Sequence, residues 1–293
     1  MHVFVTGGTG AIGSAVVAEL LGNGHTVLAL ARSDASARAA ERAGAEPLRG
    51  GLADLDVLRA GAARAEGVIH LAFHHDFSTA EALAGAVAEE SAAIAALGEV
   101  LIGSDRPFVT VAGTPVMAGR VSTEDDPAST DGPVGGRGVA VTGALALAAR
   151  GVRASSVRLP RSVHHGGPGG FAAMLAAVAR ESGVSGYPGD GEQRWPAVHV
   201  LDAAVLFRLA LERSPAGRAW HAVADEGDRV RDLATVIGRR LGLPVRPVPA
   251  ETYGPIGAIM AIDQPSSGVR TREELDWVPK RPSLLDDLER MER

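Results

Sequence analysis

The chain of 293 residues contains no cysteine. That excludes disulfides, thiolate metal ligands and a cysteine nucleophile together, and leaves the redox compartment open. It has one lysine, Lys280, one asparagine, Asn23, and two tyrosines, Tyr187 and Tyr253. Neither tyrosine has a lysine four residues later, so a Tyr-x-x-x-Lys acid–base pair is excluded by counting alone. The net charge of −6 is mild and argues against a nucleic-acid surface. No apolar run reaches the twenty or so residues of a membrane-spanning helix, and no basic leader with an apolar signal core appears. The expectation is a soluble, cytoplasmic protein that uses neither membrane nor nucleic acid. His74-His75-Asp76 and His164-His165 lack the helical spacing of metal ligands. Adjacent histidines on a strand point to opposite faces, so no metal site is expected.

What is present starts at residue 2. His2 to Thr6 is a short apolar run, followed by Thr6-Gly7-Gly8-Thr9-Gly10-Ala11-Ile12-Gly13 and then a helical stretch, Ser14 to Leu21. Strand, glycine loop and helix in this order form a dinucleotide site. Gly7 permits the tight turn, Gly10 lets backbone approach a pyrophosphate, and Gly13 allows close helix–strand packing. The helix N-terminus, with Thr9, Ala11 and Ile12 around it, offers N–H groups to phosphates. Further strands are expected at 27–30, 46–49, 68–72, 107–111 and 154–159, with helices between them. This alternation predicts an α/β, doubly wound parallel sheet of the Rossmann type over residues 1–160. Beyond Pro160 the pattern changes. Residues 161–293 read as a smaller substrate-binding region, interleaved with the first, with helices at 171–181, 203–212 and 231–241, a turn cluster at 187–191, and short strands near 220–223 and 245–248.

The Gly-x-x-Gly-x-x-Gly spacing after a threonine resembles the short-chain dehydrogenase/reductase family. So do His70-Leu71-Ala72 and the closing Leu275-Asp276-Trp277-Val278-Pro279, which is similar to the Leu-Gly-Trp-x-Pro of extended members. The resemblance spans the whole chain. It implies that Leu71 and Ala72 run under a nicotinamide cofactor, and that Pro160 and Val163 meet the carboxamide through backbone. The acid that bonds the ribose 2′-hydroxyl in NAD-binding members is replaced here by Ala31, and Arg32 and Ser33 follow. A guanidinium in place of a carboxylate suits a 2′-phosphate, hence NADP(H), although Arg32 also reads as an ordinary surface arginine. Gly51 stands where the family has an adenine-touching Asp, which leaves adenine to backbone and to Leu52.

The family's acid–base set is missing. Matching the helix before Gly151 puts Pro133 at the tyrosine place and Arg137 at the lysine place, and neither does general acid work near neutral pH. Thr114, five residues before Gly119, matches the catalytic Ser/Thr. It reads equally as a donor to a substrate carbonyl or as a loop threonine satisfying backbone. The pattern resembles atypical extended reductases that keep the cofactor fold without the Tyr-Lys pair, such as ketoreductases acting on angucyclinone-type polyketides, as in simocyclinone biosynthesis. That likeness implies an NADPH-dependent ketoreductase reducing an aromatic polyketide ketone in antibiotic biosynthesis. Phe73, His75, Met117, Phe171, Tyr187 and Trp195 are then candidate walls for a flat aromatic substrate. Tyr187 and Trp195 read equally as core anchors. Two alternatives stay open: a non-catalytic NADP(H)-sensing regulator, and a relative of nucleotide-sugar epimerases and dehydratases, for which Arg194 resembles a diphosphate-binding arginine. A homodimer is possible.

Overall fold

A computed structural model describes residues 1–75, 79–132 and 135–292. The Pro133 assignment and Asp76 of the first histidine cluster lie outside the described residues. In chain order the elements are β1 (His2–Thr6), α1 (Ala11–Gly22), β2 (Thr26–Ala31), α2 (Asp34–Arg42), β3 (Glu46–Arg49), α3 (Leu55–Arg64), β4 (Gly67–His70), α4 (Ala80–Leu101), β5 (Pro107–Gly113), α5 (Gly135–Ala146) and β6 (Arg153–Leu159). Then come β7 (Ser162–His164), α6 (Gly170–Ser182), β8 (Ser185–Pro188), β9 (Arg194–His199), α7 (Val200–Arg213), β10 (Arg218–His221), β11 (Asp225–Arg229), α8 (Val230–Leu241), β12 (Val245–Val248), α9 (Gly257–Met260), α10 (Val269–Leu275) and α11 (Leu284–Glu289).

The main sheet runs β10-β6-β5-β4-β1-β2-β3, and every pairing in it is parallel. Its strands are apolar on both faces because helices cover both sides. One face packs Val3, Val5 and Ile69 against Val16, Val17 and Leu20 of α1 and Leu206 and Phe207 of α7. The other packs Phe4, Val68 and Phe108 against Leu58 of α3, Leu97 and Leu101 of α4 and Val141 of α5. Helix ends are set locally. Ser33 and Ser36 form a capping box on α2, and the Thr79 side chain accepts from Ala82 N–H on α4.

The sequence predicts six strands in this sheet, and there are seven. β10 lies beyond residue 160 yet pairs with β6, with Trp220 opposite Val157. α7 likewise returns to pack on the first half. Apart from α10, whose Leu275 joins the first core, the remaining elements after residue 160 make a second layer. It holds a three-stranded sheet β11-β9-β7, a two-stranded sheet β12-β8, and α6, α8 and α11 around a third apolar core. Tyr187 and Pro188 belong to β8 and not to a turn, because β12 pairs along them; the turn begins at Gly189, φ +65°. No helix among the described residues is long and apolar enough to cross a membrane.

Candidate functional site

β1 and β4 are neighbours in space, while β2 and β4 leave β1 in opposite directions. Such a switch point opens a crevice at the carboxyl ends of the strands. Here it is a cleft of about 470 Å³ lined by Gly7, Thr9, Gly10, Leu30, Arg32, Ser36, Gly50 to Ala53, Leu71 to His75 and Glu89.

Its floor is built from backbone. Gly7 has φ +72°, and a Cβ there would lie 2.8 Å from the Ala72 nitrogen. A Cβ on Gly13 would lie 2.0 Å from the Gly7 carbonyl oxygen, so only glycine lets α1 seat this close. No side chain caps the N-terminus of α1, and its first turn carries no acid. Those donors and the dipole behind them therefore face the cleft uncompensated, the arrangement a pyrophosphate requires. Thr6 holds the two strands in register. Its hydroxyl oxygen accepts from the N–H of Leu71, 3.2 Å, and of Ala72, 3.3 Å. Its one proton is then left for His70 Nδ1, 2.9 Å away. That assigns His70 the Nε2–H tautomer, with Nε2 buried and unpartnered. Burial first, and the Arg137 charge second, lower the His70 pKa to about 3, so the ring is neutral.

Of the residues singled out from sequence for the cofactor, Gly7, Thr9, Gly10, Arg32, Gly51, Leu52, Leu71 and Ala72 line this one cleft. Ala11, Ile12 and Gly13 form the first turn of α1 beside it. Among the described residues Arg32 is exposed and makes no ion pair, while the nearby Asp34 is taken by Arg49, 2.9 Å. Ser33 spends its hydroxyl on the α2 cap, and Ser36 lines the cleft instead. The expected backbone contact at Gly51 is altered. Its N–H donates to Asp54 Oδ2, 2.7 Å, and its carbonyl accepts from Asp54 N–H, so Leu52 is what remains for an adenine face. Pro160 and Val163 are buried and half-buried at the end of β6 and in β7, outside the cleft lining.

The substrate candidates divide. Phe73 and His75 line the cleft, and His75 Nδ1 bonds the Phe73 carbonyl, 3.0 Å. The Arg137 guanidinium stands 4.0 Å over the Phe73 ring and donates from Nε and Nη2 to the buried Glu90, 2.6 and 2.7 Å. The residue at the lysine place is thus a fixed cation. Met117 is half-buried just past β5, away from the cleft lining. Trp195 is no cleft wall. It is fully buried in the third core, with Nε1–H donating to the Ile262 carbonyl, 3.2 Å. Tyr187 packs on the same core, and Phe171 meets Trp195 edge-on, ring centroids 5.7 Å apart. Tyr187 and Trp195 lie on short strands, β8 and β9, that the sequence did not reveal, which is why Trp195 turns out to be core; Phe171 opens α6, half-buried and outside the lining of this cleft.

Thr114 closes β5. Its N–H donates to the Leu159 carbonyl, 2.9 Å, and Gln264 Nε2 donates to its hydroxyl oxygen, 3.2 Å. With 5% of its surface exposed, Thr114 does not line the cleft, but its hydroxyl proton is left unassigned. Arg194 is committed too: Nε and Nη2 donate to Asp263 Oδ1 and Oδ2, 3.1 and 2.8 Å. Among the described residues no group of three or more His, Asp or Glu could hold a metal ion. His164 bonds Asp287, 2.8 Å, and His165 bonds His199, 3.1 Å.

Sequence reasoning missed Leu30, Ser36, Gly50, Ala53 and Glu89 of the lining. Leu30 lies at the end of β2 just before Arg32, and that strand-end position was a signal for it; Ser36 enters from the first turn of α2. Glu89 enters from the middle of α4 and carries no local signature.

Residues 3–222 match the model of the "NAD dependent epimerase/dehydratase family". The chain is 41% identical over 292 residues to an uncharacterised protein of Schizosaccharomyces pombe, covering 98% of each. It is 41% identical over 295 residues to one of Saccharomyces cerevisiae, again 98% of each. Among solved structures it resembles DesIV, a dTDP-glucose 4,6-dehydratase from Streptomyces venezuelae with NAD and TYD bound. That match has a TM-score of 0.79 at 20% identity and covers 99% of this chain and 95% of the other.

Proposed function

Because the chain belongs to the NAD dependent epimerase/dehydratase family, we propose that it is an NADP(H)-dependent oxidoreductase that reduces a ketone without a tyrosine–lysine pair. The observation that carries this reading is the cleft at the β1/β4 switch point. Gly7 and Gly13 admit no Cβ there, and among the described residues Arg32 pairs with no carboxylate, the nearby Asp34 being taken by Arg49.

A bound nicotinamide supplies a hydride to a carbonyl carbon. The protein's share is positioning, which can account for a large part of such a barrier. Leu71 and Ala72 form the floor, anchored through Thr6, and Phe73 with Arg137 above it walls one side. Arg137 is held on Glu90 by two hydrogen bonds and serves as a wall. Thr114 Oγ1 accepts from Gln264 and keeps its own proton to donate to a substrate oxygen, once substrate brings that oxygen within reach. Water or a substrate hydroxyl is the other source.

The relatives name a nucleotide sugar and no polyketide, so an aromatic polyketide is not carried into this proposal. DesIV supports a second reading, a nucleotide-sugar epimerase or dehydratase. Against it stand the missing pair and the commitment of Arg194 to Asp263. The test is fluorescence titration with NADPH and NADH, followed by turnover of aryl ketones and quinones. NADPH should bind more tightly, and Arg32→Glu should reverse the preference by roughly tenfold or more, about 1.4 kcal/mol. Retention of neither cofactor ends the proposal.

A further inference from the structure

Two arginines are buried among the described residues, Arg158 and Arg161, with 3% and 8% of their surface exposed. Their surroundings differ in kind. Arg158 lies in the field of two carboxylates, Asp126 and Glu124, and donates from Nη1 to the Asp126 carbonyl, 2.7 Å. Arg161 has neither. Its Nη1 donates to the Ile259 carbonyl, 3.0 Å, and its guanidinium carbon stands 4.8 Å from the Phe171 ring and 5.6 Å from the Trp195 ring. Burial alone acts on its charge, lowering its pKa to about 10, and no carboxylate offsets that.

Which nitrogens are engaged matters more than the burial. Nη1 is taken by Ile259. Nε is enclosed without a partner, and Nη2 makes no hydrogen bond but is not enclosed. Nε–H and Nη2–H lie on one edge of the planar group and point the same way. Together they form the two-donor fork that matches a carboxylate or a phosphate. A buried charge without a counter-ion is costly, and ring contacts and one carbonyl return only part of that cost. The residue follows Pro160 at the carboxyl end of β6, the edge of the sheet where ligands bind in open α/β folds. β7 and α6 fix it there, with Phe171 N–H donating to the Arg161 carbonyl, 3.2 Å.

We infer that Arg161 is a binding residue for an oxyanion, a carboxylate or phosphate carried by the substrate and taken two-pronged on its Nε–Nη2 edge. This deepens the ketone-reductase reading and rests on it: the substrate becomes an anionic ketone whose body lies against Phe171.

The test titrates NADPH-saturated protein, by calorimetry, with benzoate, phenyl phosphate and the neutral benzamide. One of the two anions should bind at least about tenfold more tightly than benzamide, and the better one tells carboxylate from phosphate. Arg161→Gln should abolish that preference while NADPH affinity stays within about twofold, since Arg161 is not among the residues lining the cleft with the glycine loop. Arg161→Lys, which keeps the charge and loses the fork, should fall between the two. Failure of both anions to bind more tightly than benzamide overturns the inference, and so does a preference that survives in Arg161→Gln. The wild-type comparison decides the matter even if Arg161→Gln does not fold. If NADPH fails to bind, the cofactor reading falls, and the same titrations on the cofactor-free chain still judge Arg161.

Discussion

The cleft at the switch point and the second layer built around the third core treat polar groups in opposite ways. In the cleft, donors are left open. The first turn of α1 has no capping side chain, and Arg32 has no carboxylate. In the layer, polar groups are mostly closed on one another: Arg194 on Asp263, Arg231 on Glu192, and His164 hydrogen-bonded to Asp287. Open donors cost stability and wait for a ligand, whereas closed pairs belong to the fold. The contrast marks Arg161 as the exception within the second region.

The largest expected effect tests whether the layer is core. Trp195 is fully buried and bonded to the Ile262 carbonyl. Trp195→Ala should cost about 3–5 kcal/mol in urea unfolding, while Trp195→Phe costs much less. A change under about 1 kcal/mol for the alanine variant would return Trp195 to a solvent-facing wall.

Next in size is the glycine loop. The Cβ of Gly13→Ala must displace the Gly7 carbonyl, which sits 2.0 Å from its place. The strain should be about 1–3 kcal/mol, and the larger consequence is on binding. The loop moves off Leu71 and Ala72, and NADPH affinity should fall by roughly a hundredfold or more, read by fluorescence titration. Undiminished affinity would mean that the dinucleotide sits elsewhere.

These two residues also show how much the sequence could say. Gly7, Gly10 and Gly13 act through backbone within one turn of chain, so their spacing carried the cleft, and the apolar strands carried the sheet. Trp195 and Thr114 were ambiguous because their partners are remote. Gln264 lies 150 residues from Thr114, and Ile262 lies 67 from Trp195. β7 and β9 escaped notice because each is short and pairs across the chain, with Val163 opposite Val198. No local pattern encodes such a pairing. Arg161 had no signature at all, since its meaning lies in the absence of an acid around it.

A third prediction turns on His70, the buried base beneath the cleft. Its folded pKa, about 3, lies below the ordinary 6.5. Between these values the unfolded chain takes a proton that the folded chain refuses. Stability is therefore full above about pH 6.5 and falls as pH drops, by up to about 1.4 kcal/mol per unit. His221, lowered to about 4 by burial above all, adds to the same acid limb. His70→Asn keeps an acceptor for the Thr6 hydroxyl and removes the His70 proton from that limb. Its stability between pH 6.5 and 5 should fall less steeply than the wild type's. Parallel slopes would mean that His70 is protonated in the folded chain, against the tautomer assigned through Thr6.

The smallest effect separates the two functional readings. Arg194 and Asp263 keep 42% and 41% of their side-chain surface exposed, so their pair is worth no more than about 1 kcal/mol, and Arg194→Ala should barely move the unfolding midpoint. Its value is diagnostic. A nucleoside diphosphate gripped by Arg194 would have to displace a two-pronged carboxylate first. Asp263→Ala would then raise affinity for dTDP-glucose, and Arg194→Ala would abolish it. The ketone reading expects neither variant to change dTDP-glucose or NADPH binding. Tight dTDP-glucose binding lost with Arg194 would make the second layer a sugar-nucleotide site and reduce Asp263 to a placeholder for phosphate. The distinction between a cleft held open and a layer paired shut would then fail at the one exposed pair where it is cheapest to check.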